Sequence, residues 1–351
     1  MKKILVINPG STSTKIAVFE DDKAVFNKTI RHSAEELAPF AKITDQLDFR
    51  RQMILGELEQ AGIPAKFDAI VARGGLTKPV PCGVYAIDEN MIKATFESEH
   101  QHATDLGCVI AREISNGECP CYIADPAVSD ELDDIARVCG NARFSRISIW
   151  HALNQRAIAR RFAKENGKRY EDLNLIIAHL GGGISVAAHK HGRAVDTNNC
   201  LDGEGPFSPE RAGSLPARDL VNLCFSGEFT KEEIVKMISG KGGVFSHLGT
   251  TDMIEAEKRM DDGDEKAKLV VDAMFYNVSK SIAEKGAVLC GKIDAIIITG
   301  GISYWKYAVE EIKKRVDWMA PVYVYPGEDE MSALAENALG ALKGDLEVKK
   351  Y

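Results

Sequence analysis

The sequence is short of several things. None of its apolar runs approaches the ~18 uncharged positions that a membrane span needs. The run at residues 4–7 stops at Asn8-Pro9-Gly10, too soon for the core of a secretory signal. There is no basic excess: 44 Lys and Arg stand against 52 Asp and Glu, a net charge of −8. That argues against nucleic acid as a partner, because counterion release needs a basic face. The eight cysteines contain no C-x-x-C, and Cys119-Pro120-Cys121 is the one close pair. Zinc and thioredoxin-type motifs want wider spacing, so reduced thiols in a cytoplasmic protein without a membrane segment are expected.

What is present is ordinary in proportion, with 45% hydrophobic and 27% charged residues, the balance of a globular chain. A length of 351 residues predicts two domains or one large barrel and buries about three quarters of the unfolded surface. Residues 2–7, 8–15 and 16–20 read as strand, small-residue loop and strand, followed by a turn and a third strand. The pattern returns at 173–178, 179–183, 184–188 and 192–195, with Asn8 on His179 and Gly10 on Gly181, an offset of 171. A second match sets residues 67–76 on 293–302 at an offset of 226. Two ordered matches imply duplicated halves, the second carrying an insertion of about 55 residues near 200–250, with a helix at 231–239. Helical spacing of apolar residues marks 149–165, 265–289 and 332–342, giving an α/β class.

Three loops are candidates for holding phosphate. Asn8-Pro9-Gly10-Ser11-Thr12-Ser13-Thr14-Lys15 is rich in hydroxyls and amides and ends in an ammonium group. It leads into a strand, so it is not a Walker A loop, and a solvated hairpin turn is the plain alternative. His179-Leu180-Gly181-Gly182-Gly183 also joins two strands; it permits close backbone approach to a ligand, or marks a strand bulge. Thr299-Gly300-Gly301 follows an apolar strand and precedes an expected helix, where a nucleotide or a simple tight turn fits.

Two hairpin phosphate loops on duplicated halves resemble the actin, Hsp70 and sugar kinase superfamily. The strings N-P-G-S-T-S-T-K at 8–15, A-R-G-G at 72–75, W-H-A-L-N-Q at 150–155, H-L-G-G-G-I-S at 179–185, V-D-T at 195–197 and T-G-G-I at 299–302 are similar to the acetate kinase family, in its butyrate kinase branch. The resemblance implies two actin-like (ribonuclease H-like) domains with a cleft between them. It places the N-terminal domain at 1–168, rejoined by residues 331–351, and the C-terminal one at 169–330. It implies reversible transfer of the ATP γ-phosphate to a short fatty acid carboxylate, butyrate or isobutyrate, with ADP as product and Mg2+ as cofactor; acetate or propionate as the acceptor is the runner-up, and a nucleotide-driven switch of the actin or Hsp70 kind, which would not need His151, His102 and Arg73, is the remaining alternative. A homodimer or larger homo-oligomer is implied too.

Carried over by motif, Asn8, Ser11, Ser13 and Lys15 form the first phosphate loop, His179 and Gly181, Gly182 and Gly183 the second, and Gly300 and Gly301 the adenosine loop. Asp125 is implied at substrate or metal and Glu330 at metal, with Glu328 and Asp329 as neighbours in register. His151 is implied at the transferring phosphoryl group and His102 as a second active-site histidine; either residue alone is as readily structural. The arginines depart from the acetate kinase pattern, which has one where this chain has Ile70 and another near Pro216. Arg73 is the best replacement cation, and Arg211 is next unless it is an ordinary surface arginine. Trp150 matches an aromatic beside the acyl group, and Phe207 lies near the same pocket, with core packing as the plain alternative.

Overall fold

The computed structural model describes residues 1–75, 77–98 and 102–351. Leu76, the end of one matched segment, lies outside them. The chain forms two compact units, Met1–Ser129 with Asp329–Tyr351, and Asp130–Glu328.

The first unit is built on a seven-stranded sheet. Its strands are β1 (Lys3–Pro9), β2 (Ser13–Glu20), β3 (Lys23–Arg31), β4 (Ala69–Arg73), β5 (Val84–Ala86) and β6 (Cys121–Ala124). The second unit contributes β7 (Asn174–Leu180), β8 (Ile184–Lys190), β9 (Arg193–Thr197), β10 (Ala295–Gly300) and β11 (Val322–Pro326), and β12 (Val348–Lys349) returns to the first. The orders are β12-β5-β6-β4-β1-β2-β3 and β11-β10-β7-β8-β9. In each, an antiparallel three-stranded meander is continued by two parallel strands, β4 and β6 beside β1 and β10 and β11 beside β7, and in the first sheet β5 then pairs antiparallel with β6.

The duplication is visible in register. Ile4 lies beside Ala69 and Ile7 beside Ala72; Leu175 lies beside Ala295 and Ala178 beside Ile298. The offsets of 171 and 226 found in the sequence carry the first set onto the second residue for residue. Each meander also has a bulge, between Val18 and Phe19 and between Ala188 and His189.

Central strands are apolar without alternation because both faces are covered. Leu175, Ile177, Ala295 and Ile297 pack on Ile158, Ala159, Phe162 and Ala163 of helix Ala152–Glu165. The intervening Ile176, Ala178, Ile296 and Ile298 pack on Val271, Phe275 and Ile282 of helix Glu265–Val288 and on Ile312 of helix Lys306–Val316. Each of the larger side chains among them (Leu, Ile, Val, Phe) contributes roughly 1.5–3 kcal/mol by leaving water. This packing groups residues 130–168 with the second unit, where the sequence had set the change at 168/169. In the first unit Leu5, Ile7 and Ile70 pack on Ile54, Leu58, Leu106 and Ile110, and helix Glu330–Lys343 lies against β1 and β4.

The inserted stretch holds three helices, Ala217–Cys224, Lys231–Ile238 and Gly243–Leu248, of which the sequence marked one. Helix Ala152–Glu165 begins three residues later than its periodicity suggested, which leaves His151 at the N-cap. After Gly300 comes a single 3₁₀ turn, Gly301–Tyr304, and only then a helix, so the expected helix start is displaced to Lys306. No helix of the described residues is long and apolar enough to cross a membrane.

Candidate active site

In open α/β sheets ligands bind beyond the carboxyl ends of parallel strands. In the first unit those ends bring together Asn8 in the last residues of β1, Arg73 closing β4 and Asp125 directly after β6, since Ile7 pairs with Ala72 and Arg73 with Ala124. Glu330, at the start of the last long helix, completes the group. Asn8 Nδ2 donates to Glu330 Oε2 at 2.7 Å and Arg73 Nη1 meets the same oxygen at 2.9 Å. Asn8 and Glu330 are buried. Lys15 stands directly across the hairpin from Asn8 and is exposed. Asp125 is buried in a left-handed conformation at φ 40°, costly for a non-glycine residue and more so before Pro126. It is held there by a reciprocal pair: its amide donates to Gly83 O at 2.9 Å and its Oδ1 accepts from Gly83 N at 2.8 Å.

The first loop is supported by a residue the sequence reading missed. Arg50 of helix Leu47–Gln60 is fully buried and donates to Gly10 O at 2.9 Å, Ser11 O at 3.1 Å, Ser13 O at 3.4 Å, Thr14 Oγ1 at 3.0 Å and Gln46 Oε1 at 3.0 Å. The Thr12 carbonyl accepts from His32 N at 2.9 Å. A planar trans peptide points N–H opposite to C=O. With the carbonyls of Gly10 and Ser11 turned onto the guanidinium, the amides of Ser11 and Thr12 face the other way, as an anion site requires. Burial pushes the Arg50 guanidinium down to about 10 and, with the Arg50 charge, holds His32 below its ordinary value. His102 Nε2 lies 3.3 Å from Ser11 Oγ, and its Nδ1 and backbone cap the short 3₁₀ turn Ala103–Asp105.

In the second unit the equivalent strand ends carry His179, Thr299 and, beyond β11, Glu328, with Thr299 registered on His179. His179 Nε2 is 3.0 Å from Glu328 Oε1, and its ring stacks on His151 with centroids 3.8 Å apart and planes 8° off parallel. The helix that starts after His151 puts positions 151, 154 and 155 on one face. Asn154 Nδ2 accordingly lies 2.8 Å from His179 Nδ1 and 3.3 Å from Thr299 Oγ1. His151 Nδ1 is 2.8 Å from Ser185 Oγ. Asn154, Gln155 and Ser185 were not singled out, although they stand inside the quoted strings, and Glu328 was named only as a neighbour in register of Glu330.

The second loop is tied back as the first is. Gly182 O accepts from Ser208 Oγ at 2.6 Å and Glu210 N at 3.4 Å, which turns the Gly183 amide outward. A Cβ on Gly183 would sit 2.0 Å from Arg211 Nη1, so the guanidinium lies flat against this loop. Arg211, read from sequence as an ordinary surface residue unless shown otherwise, is thus a cation at the glycine loop; Nη1 also donates to Cys200 O at 2.9 Å. Pro216 merely precedes helix Ala217–Cys224, and Ile70 is buried in β4.

Gly300 has φ 93° and exchanges backbone hydrogen bonds with Gly327 at 3.1 and 3.0 Å; a Cβ there would meet Leu180 O at 2.3 Å. Gly301 opens on a cavity of about 720 Å³ lined by Met253, Ile254, Tyr304, Trp305 and Tyr307, with Asp252, Glu257 and Lys306 as charged members. That size and lining suit a flat heteroaromatic group with polar edges. Trp150 is 2% exposed and packs edge-on against His189 at 5.6 Å, and Phe207 packs against the core, so both aromatics have packing roles.

A model described as the Acetokinase family matches residues 146–317. The chain is 56% identical to "Probable butyrate kinase" of Bacteroides thetaiotaomicron over 99% of both chains, and 50% identical to "Butyrate kinase 1" of Clostridium acetobutylicum over the whole of both. Among solved structures it resembles Porphyromonas gingivalis acetate kinase, with TM-score 0.81, 19% identity and coverage of 97% of this chain and 100% of that one. A propionate kinase from Francisella tularensis follows with TM-score 0.79, 18% identity and coverage of 96% and 99%. These two likenesses establish the actin-like ATPase fold of the duplicated units. With half or more of its residues shared end to end with such relatives, the chain belongs to the acetokinase family.

Proposed function

We propose that this protein transfers the γ-phosphate of ATP to the carboxylate of butyrate or a branched relative such as isobutyrate, giving acyl phosphate and ADP, and runs in reverse. The observation that carries this reading is the 50–56% identity, over the full chain, to proteins called butyrate kinase. The site's chemistry supports it. A carboxylate is ionised at neutral pH, so the acceptor needs no general base. The barrier lies in bringing that anion to a polyphosphate, and transfer through a loose transition state depends on positioning and on cationic stabilisation. Arg73 and Arg211 are the cations, His151 and His102 contact the phosphoryl region, and the Asn8 and His179 loops hold phosphate oxygens. The cavity beside Gly301 takes adenosine.

Among the described residues no cluster of three or more His, Cys, Asp or Glu forms a cage for a metal. A nucleotide-borne Mg2+ needs only one or two carboxylates and keeps several waters, which the pair Asp125 and Glu330 fits. When bound, the ion supplies neutralisation of phosphate charge. A cytoplasmic location and a homo-oligomeric state belong to the same reading.

The test is ADP release from ATP with and without butyrate. ADP formation that depends on butyrate is expected; equal hydrolysis in its absence contradicts a kinase.

A further inference from the structure

A buried chain of hydrogen bonds reaches Nδ1 of His151, and the geometry of its members places their protons. Gln155 Nε2 lies 3.2 Å from Ser185 O and 2.9 Å from Ser185 Oγ. A backbone carbonyl only accepts, so this end of the amide is the NH2 and the other end is Oε1. Oε1 meets His189 Nε2 at 3.0 Å, so His189 carries its proton on Nε2, and its Nδ1 accepts from the Tyr170 hydroxyl at 2.6 Å. His189 is fully buried; burial first and the Arg156 charge second push its pKa down to about 3, in keeping with a neutral ring.

Ser185 Oγ therefore receives Gln155 Nε2 and, at 3.3 Å, the His151 amide. Both acceptor positions are taken, and the hydroxyl proton goes to His151 Nδ1 at 2.8 Å. A proton on Nδ1 instead would crowd three donors onto one oxygen and leave the hydroxyl of a fully buried serine without an acceptor.

We propose that Ser185, Gln155 and His189 are positioning residues that hold His151 as the neutral Nε2–H tautomer, so that it offers a hydrogen-bond donor, not a third cation, to the transferring phosphoryl group. The inference rests on the role proposed above for His151. It leaves the positive charge of transfer to Arg73 and Arg211 and gives the buried His189, which touches no phosphate loop, a part in the reaction.

The test is a long-range 1H–15N correlation spectrum of the full chain labelled with [15N]histidine at pH 7, with the His151 ring identified by its loss in His151→Gln. A protonated Nε2 and an unprotonated Nδ1 are expected. A Nδ1–H ring, an imidazolium, or an exchanging mixture in the unsubstituted protein overturns the proposal. Ser185→Ala is expected to turn the single tautomer into a mixture and to lower kcat for acyl phosphate formation about ten- to hundredfold, with KM for ATP within about twofold. Gln155→Glu, whose carboxylate draws the Ser185 hydroxyl to itself, is expected to favour Nδ1–H. Ring signals unchanged in both variants contradict the relay. If the protein makes no acyl phosphate at all, the kinase reading fails while the spectra still decide the tautomer.

Discussion

Asn8 Nδ2 and Glu330 Oε2 stand 2.7 Å apart although 322 positions separate them in the chain. The bond ties the end of the first strand to the start of the last long helix, and Arg73 joins it on the same oxygen at 2.9 Å. A buried carboxylate is thereby held between an amide and a guanidinium beside the first hairpin loop. Glu330→Gln keeps the shape and removes the charge. We expect stability to fall by about 1–3 kcal/mol, since Arg73 is partly exposed and loses one partner. Turnover should drop at least tenfold and need more Mg2+ for half-saturation. Thermal unfolding and an Mg2+ titration of initial rates check this; turnover within twofold of the parent would remove Glu330 from the site.

Arg50 makes five donations to the described residues and none goes to a carboxylate, so its charge serves to orient neutral acceptors. Arg50→Lys retains charge but cannot span Gly10, Ser11 and Gln46 at once. We expect KM for ATP to rise roughly tenfold and the unfolding midpoint to fall by several degrees. An unchanged nucleotide affinity in calorimetric titration contradicts the supporting role.

The two glycine loops give contrasting substitutions. Gly183→Ala forces Arg211 or the loop aside and should lower turnover about a hundredfold or more. Gly301→Ala meets no protein atom within 4 Å, so the fold should be indifferent to it. If adenosine lies over Gly301, KM for ATP rises severalfold with the unfolding midpoint unchanged. A Gly301→Ala enzyme with parental KM places the nucleotide base elsewhere.

His189 has a folded pKa of about 3 against an ordinary 6.5. As pH falls, the unfolded chain takes up a proton at this residue below 6.5 and the folded one does so only near 3. The folded state therefore has its full stability from this group above pH 6.5 and loses it progressively down to about 3, on the order of 4 kcal/mol in all. His189→Asn should be less stable at pH 7, yet lose less on going to pH 4. Urea midpoints at the two pH values measure it, and equal losses in parent and variant contradict the buried neutral ring. His32, held low mainly by burial, adds a smaller dependence of the same sign that remains in the variant.

Much of the fold was legible because duplication leaves a double record. The apolar runs at 4–7 and 175–178 fall at the offset that also superposes their loops, and the parallel pairing of Ile4 with Ala69 repeats as Leu175 with Ala295. Both phosphate loops, Arg73 and His151 stand in local strings that carry a signal, whereas Glu330 stands in none and was placed only to within two residues. Arg50 carried none: an arginine on a polar helix reads as solvated until the hairpin is laid over it. Arg211 stands in an insertion whose close approach to Gly183 depends on three short helices that periodicity barely registers. Ser185, Gln155 and His189 are unremarkable letters whose meaning comes from meeting in space. The boundary at 129/130 was hidden because a chain can cross between units before its next strand begins, and only the packing of Ile158 and Phe162 on Leu175 and Ile177 reveals it.

The central claim is tested most directly by trapping the product. The protein is incubated with ATP, Mg2+ and each straight-chain acid of two to five carbons, with isobutyrate alongside, and acyl phosphate is captured as the hydroxamate while ADP is measured in parallel. The account predicts hydroxamate equal to ADP released, with the highest kcat/KM at four carbons. ADP without hydroxamate, or a maximum at acetate, would contradict it.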